Sequence, residues 1–172
     1  WIAGLHENGV EAVNLFNISE INSTPSVCLE DFEMGQLAAR HLREQGAEQF
    51  AYYASGNIHF NELRKEGFVK GLEPKPCTSL ERGPLLRQQI AAFKKDSGIP
   101  GIFCSSDRLA REYILEANQL GLQCGRDFLL TSIDNDPTES VFAGIGITSF
   151  ELPMIACGKE AARLLQQSLS RE

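Results

Sequence analysis

Residues 101–137, GIFCSSDRLAREYILEANQLGLQCGRDFLLTSIDNDP, constrain the fold of this chain more than any other stretch. They read as strand, polar tip, helix, loop, strand, polar tip. Residues 101–104 (GIFC) form a short apolar run of strand type. Ser105, Ser106 and Asp107 then offer three small oxygen-bearing side chains in a row. Asp107 is placed to cap the helix that follows, because its carboxylate can accept from the unpaired N–H groups of a first turn. Leu109, Ala110, Tyr113, Ile114, Ala117 and Leu120 repeat at helical spacing. Residues 128–133 (FLLTSI) are nearly continuously apolar, the pattern of a strand covered on both faces. That strand ends on Asp134, Asn135 and Asp136 before Pro137. In a parallel α/β sheet two such strand ends lie side by side, and ligands bind there.

The rest of the chain alternates in the same way. Residues 11–17 (EAVNLFN) and 26–29 read as strands, with the end of a helix over residues 1–8 before them and Gly9 closing it. Asp31 is placed to cap a helix that runs to Gln45, with Met34, Leu37, Ala38 and Leu42 inward and Gly46 as its stop. Residues 50–54 (FAYYA) form a strand ending in Ser55-Gly56-Asn57. Helices follow over residues 60–72 and from Leu85 to Phe93, with residues 73–79 between them a connector, marked by Pro74 and Pro76, that has room for a short edge strand. After Pro137 the chain reads as irregular, with Gly144 and Gly146. A last strand covers residues 147–150, and a final helix begins at Pro153. Strands alternating with helices of ten or more residues imply crossover connections and a parallel sheet, so the fold class is α/β.

Composition narrows the function. A formal charge of −7 argues against this segment gripping a nucleic-acid backbone, which needs a basic surface. The five cysteines are scattered and never spaced CxxC. They read as free thiols of a reducing compartment, not as a zinc site or a disulfide framework. No apolar run approaches the ~20 residues of a membrane span, and nothing near Trp1 reads as a secretory leader. The chain opens without Met and reads as a piece of a longer protein. Its length suits one domain or one domain and a fraction.

Enzyme signatures do not appear. There is no GxGxxG, GxxxxGK[ST] or GxSxG, so neither a cofactor loop nor a nucleophile elbow is present. Asp134-Asn135-Asp136 lacks the spacing of a calcium loop. The remaining signal is a polar rim. Asp134 can accept two hydrogen bonds from vicinal hydroxyls. The planar fork of Arg64 suits ring and hydroxyl oxygens. Ser106 can donate and accept, and Phe60, one turn before Arg64, can lay a ring against the apolar face of a sugar. Each has a bland alternative. Arg64 equally suits a surface pair with Glu62 or Glu66, Phe60 a core position, and Asp134 a turn cap. Residue type alone favours the bland alternative for each.

The order of motifs does more. D31-xxx-G35-xx-AARHL, R64-xx-G67-F68, IFCSSD-x-LA, D127-F-LL-xx-IDNDP and ITSF-xxP153-xxxx-G158-xx-AA-x-LL together resemble the effector-binding domain of the lactose/galactose-repressor family. Two details, FAYYASGN and IDNDPTES, are most similar to the xylose-operon regulator type, in which an AraC-type DNA-binding domain follows the sensor.

This resemblance implies a periplasmic-binding-protein-like fold of two α/β lobes around a ligand cleft. It implies a complete second lobe over residues 30–147 and a partial first lobe from residues 1–29 and 148–172. In the family's pattern Arg64 grips sugar oxygens, Asp134 accepts hydroxyl hydrogen bonds, and Phe60 stands where an aromatic residue packs on the sugar. Ser106 stands where the family often has Asn, and it lacks the bidentate contact of an amide. The implied function is sensing of a small effector, a sugar and in particular a pentose, by a cytoplasmic, homodimeric transcription regulator. Such a protein is not an enzyme, has no cofactor or metal, and meets DNA only through a domain outside this chain. The rival reading is a transport-type periplasmic sugar-binding protein.

Overall fold

A computed structural model describes residues 4–5, 8–16, 18, 24–56, 58–93 and 98–170. The strands are β1 (Asn14–Leu15), β2 (Ser26–Val27), β3 (Gln49–Tyr53), β4 (Thr78–Leu80), β5 (Pro100–Cys104), β6 (Leu129–Ile133) and β7 (Thr148–Phe150). The helices are α1 (Asp31–Glu44), α2 (His59–Leu72), α3 (Leu86–Ala92), α4 (Asp107–Gln119), α5 (Pro137–Ala143) and α6 (Met154–Leu169). The Cα framework divides into two compact units. One takes residues 1–30, 58–60 and 153–172, and the other takes residues 31–57 and 61–152.

The first unit pairs β1 with β2 in parallel, Asn14 opposite Ser26 and Leu15 opposite Val27, and α6 packs on both strands. Two-residue strands stand here where the sequence pattern predicts longer ones. Gly9 closes a turn at φ 68°, as expected of a helix stop, but most of residues 1–8 lie outside the described residues.

The second unit is a five-stranded, wholly parallel sheet in the order β4-β3-β5-β6-β7. Its inner strands β3, β5 and β6 are buried on both faces, which explains their largely apolar runs. Alternate residues serve opposite layers. Ala51, Tyr53, Ile102, Cys104 and Leu130 pack with Leu86 and Ile90 of α3 and Leu109, Tyr113 and Ile114 of α4. Phe50, Tyr52, Phe103 and Ile133 pack with Ala38, Ala39 and Leu42 of α1 and Phe68 and Leu72 of α2. Leu37, expected inward, is exposed, and Ala39 takes the core position.

Three local features depart from the sequence reading. Asp107 does not cap α4: Ser106, extended at φ −160°, is the N-cap and accepts from the Leu109 N–H. The segment after Pro137 is helical. Asp136 caps it by accepting from Thr138 N at 2.8 Å, Pro137 occupies the first turn, and Gly144 ends it in the left-handed region at φ 72°. Residues 148–150, grouped by the resemblance with the partial first lobe, continue the sheet ladder as β7, with Ser149 opposite Ser132.

α1 and α2 approach backbone to backbone. A Cβ on Gly35 would sit 2.1 Å from the Arg64 carbonyl oxygen, and one on Gly67 would sit 1.9 Å from the Phe32 carbonyl oxygen. Only glycine permits this approach, and it brings the start of α1 to the first turns of α2.

Candidate functional site

In this sheet order the chain steps from β3 to β4 on one side and then to β5 on the other. The strand order therefore reverses between β3 and β5, and the carboxyl ends flanking that point are where an open α/β sheet binds ligands. The Ser105 N–H donates to the Tyr53 carbonyl at 2.9 Å, holding the two strand ends together.

Arg64 stands over this point. It is 5% exposed, so the reading of it as a surface residue paired with Glu62 or Glu66 does not hold. Its Nε donates to Asp31 Oδ1 at 2.7 Å and its Nη1 to the Ser105 carbonyl at 3.1 Å. Asp31, the first residue of α1, is buried with it. The glycine contact between α1 and α2 makes this pairing possible.

Asp134 follows β6 and is exposed. Its φ is 120° and that of Asn135 is 53°, both in the region that favours glycine. Asn tolerates it, but for Asp at 120° it is strained. Partial burial pushes the Asp134 carboxyl above the usual carboxylate range. The Asp107 carboxylate adds to the rise, and the Arg64 guanidinium opposes it. Arg64 and Asp134 thus share one electrostatic environment.

Asp107 is 1% exposed and engaged on both oxygens. Its Oδ1 accepts from the hydroxyls of Ser132 and, at 2.6 Å, Ser149. Its Oδ2 accepts from Asp136 N at 2.7 Å. The Asp134 N–H donates to the Phe150 carbonyl at 3.0 Å, and the Asn135 N–H to Ser149 Oγ at 2.9 Å. All three consecutive N–H groups of the tip are therefore held.

Of the four residues named from sequence, Arg64, Ser106 and Asp134 fall in the sheet unit. Ser106 is half-buried and occupied as a cap. Phe60 lies in the first turn of α2, half-buried, and groups with the first unit. The sequence reading missed Asp31 as the partner of Arg64, Ser149 as an anchor, and Asn61. The Asn61 amide donates to the Ser55 carbonyl at 3.2 Å, while its Oδ1 is buried without a hydrogen-bond partner. The buried neighbours are chemically inert. Burial pushes the thiol of Cys104 and the phenol of Tyr52 well above their ordinary ranges. Among the described residues no cluster of His, Cys, Asp and Glu is arranged to hold a metal ion, and no helix is long and apolar enough to cross a membrane. The rim offers exposed carboxylates at Asp134 and Asp136, a buried guanidinium, and small hydroxyls.

A family model described as a periplasmic binding protein-like domain matches residues 39–172. The chain belongs to this family. A relative of this periplasmic-binding-protein-like domain, the xylose operon regulatory protein of Haemophilus influenzae, is 24% identical over 159 residues, covering 85% of this chain and 41% of the relative. Among solved structures, a ribose-bound LacI family transcriptional regulator from Enterococcus faecium superposes with a TM-score of 0.80 at 24% identity, over 98% of this chain and 65% of that one. A glucose-bound LacI family regulator from Lactobacillus casei gives 0.79 at 17% identity, over 99% of this chain and 77% of that one. A periplasmic binding protein/LacI transcriptional regulator from Alkaliphilus metalliredigens, in complex with D-xylulofuranose, gives 0.78 at 16% identity, over 95% of this chain and 64% of that one. The chain thus spans less than half of the curated relative and about two thirds of the Enterococcus structure. The fold, an α/β domain of periplasmic-binding-protein type, agrees with the sequence reading.

Proposed function

We propose that this chain is the sugar-sensing part of a bacterial transcriptional regulator, with a pentose as effector. The observation that carries the reading is Asp134, an exposed carboxylate held in a strained left-handed conformation at a strand end, whose titration feels the buried charge of Arg64. Strain of this kind persists where the surroundings enforce it, and it clusters at ligand sites. A fixed carboxylate accepts hydrogen bonds from two vicinal hydroxyls, and the guanidinium supplies complementary positive charge. In this reading Ser106 and Phe60 contribute a hydroxyl and a ring face. The neighbours described with ribose, glucose and D-xylulofuranose support a sugar as the ligand class.

The regulator acts in the cytoplasm, as a homodimer, without catalysis, and reaches DNA through a domain outside these residues. The LacI-type descriptions of the neighbours favour a LacI-type regulator over the AraC-type one expected from the FAYYASGN and IDNDPTES details. In this reading the sheet unit, with its edge extended through β7, is the complete second lobe and the remaining residues belong to a partial first lobe. A sugar passes a signal only if it binds one lobe or dimer arrangement more tightly than another. The transport-type alternative is disfavoured by five free cysteines, two of them buried.

The test is a thermal-shift panel of pentoses, hexoses and sugar phosphates on the full-length protein, with the wild type beside Asp134→Asn. A sugar at ~100 times its dissociation constant stabilises by about 2.7 kcal/mol, which moves the midpoint of a chain this size by roughly 5–11 °C. A shift with pentoses that Asp134→Asn abolishes is expected. No shift with any sugar, or an undiminished shift in the variant, overturns the proposal.

A further inference from the structure

We infer that Asp107, through a clamp shared with Ser149, is the residue that positions Asp134 for its ligand. This rests on the reading of Asp134 as a sugar contact. The clamp is built from three elements. Asp107 opens α4, Ser132 lies in β6 and Ser149 in β7, and the two hydroxyls converge on one carboxylate oxygen. The second oxygen takes the Asp136 N–H at 2.7 Å. Ser149 Oγ donates to Asp107 and also accepts from the Asn135 N–H at 2.9 Å. With the Asp134 N–H on the Phe150 carbonyl at 3.0 Å, the whole tip is tied to β7 and to α4.

Two consecutive non-glycine residues at positive φ are held here by bonds from outside the tip. Left to itself the tip would relax to ordinary backbone angles and turn the Asp134 carboxylate elsewhere. Asp107 itself is buried with both oxygens occupied, so it acts on a ligand through Asp134 and is a positioning residue. The backbone can be held in this way because a carboxylate accepts several donors at once and its bonds to hydroxyl and N–H groups are charge-assisted.

The experiment compares wild type, Asp107→Asn, Asp107→Ala and Ser149→Ala in the full-length protein. Hydrogen exchange at the Asn135 and Asp136 amides is followed by NMR without sugar, and affinity for xylose and ribose is measured by calorimetry. Asn at 107 keeps an acceptor for the Asp136 N–H and can turn its amide toward the hydroxyls, which reverse their roles. It gives up the charge of the carboxylate, so it should speed exchange at 135 and 136 and weaken pentose binding, each by less than Asp107→Ala does. Ser149→Ala should speed Asn135 exchange and weaken pentose binding, each by about tenfold, the worth of one hydrogen bond. Asp107→Ala should weaken binding further. A purely structural role would lower the unfolding midpoint while the folded variants kept wild-type affinity. That pattern, or unchanged exchange in Ser149→Ala, overturns the inference. If the wild type binds neither pentose, the sugar reading falls for this class of ligand and exchange alone decides the clamp. Faster exchange at 135 and 136 then supports it, and unchanged rates overturn it.

Discussion

Replacing Asp31 with Ala breaks the buried ion pair with Arg64. The two side chains are 1% and 6% exposed and meet at 2.7 Å, so neither is hydrated in the folded state. Removing one partner of such a buried pair costs about 3–5 kcal/mol. The Ser105 carbonyl, 3.1 Å from Nη1, remains as an acceptor but carries no full charge. For a chain of this length the loss corresponds to a fall of roughly 6–20 °C in the thermal midpoint. Thermal unfolding followed by circular dichroism measures it directly. Because the pair is buried, the difference should persist in 1 M salt, where the Debye length is about 3 Å and an exposed pair would be screened. The double variant Asp31→Leu/Arg64→Met fills similar volume with apolar atoms and should fall close to wild-type stability, since such replacements are often neutral. It should nevertheless lose sugar binding. A fall of less than about 2 °C in Asp31→Ala would refute the reasoning, because breaking a buried ion pair of this kind costs more than that.

The pH dependence at Asp134 follows from its raised folded-state value. Between the ordinary carboxylate range and that raised value the folded state binds more protons than the unfolded one, so stability falls as pH rises through this window. Asp134→Asn removes the penalty. It should unfold at a higher temperature than wild type at pH 7, and the gap should close in titrations taken below about pH 3.8, the ordinary value. Gly67→Ala drives a Cβ to within 1.9 Å of the Phe32 carbonyl and should cost at least about 1–3 kcal/mol in urea unfolding, because backbone on both sides must move. Phe68→Ala empties a fully buried site between the rings of Phe50 and Phe103, at centroid distances of 6.4 and 5.2 Å, and should cost about 3–5 kcal/mol by the same assay.

The order of elements in the sheet unit is legible because each carries a local pattern. Leu109, Ala110, Tyr113 and Ile114 recur at helical spacing and are all buried on one face of α4. The apolar run before Asp134 is buried on both sides. α5 escapes this reading although its signals are present in Asp136, Pro137 and Gly144. It is seven residues long, and Val141 and Phe142 are exposed, so no buried stripe marks it. Between Ser106 and Asp107 the capping role is ambiguous from sequence, since both are good caps. The fold settles it by turning Asp107 toward β6 and β7.

What the amino-acid sequence determines by itself is therefore the succession of strands and helices, the parallel α/β class, and the placing of Asp134 at a strand end. These follow from periodicity and from turn residues acting within a few positions of one another. The tertiary structure alone decides what the polar residues do. Arg64 meets Asp31 across 33 positions, and Asp107 meets Ser149 across 42. Both meetings depend on which strands are neighbours and on glycine letting two helices touch. No local pattern encodes those distances, because a carboxylate at a helix start reads alike whether it caps its own helix, neutralises a distant guanidinium or holds a binding loop in place.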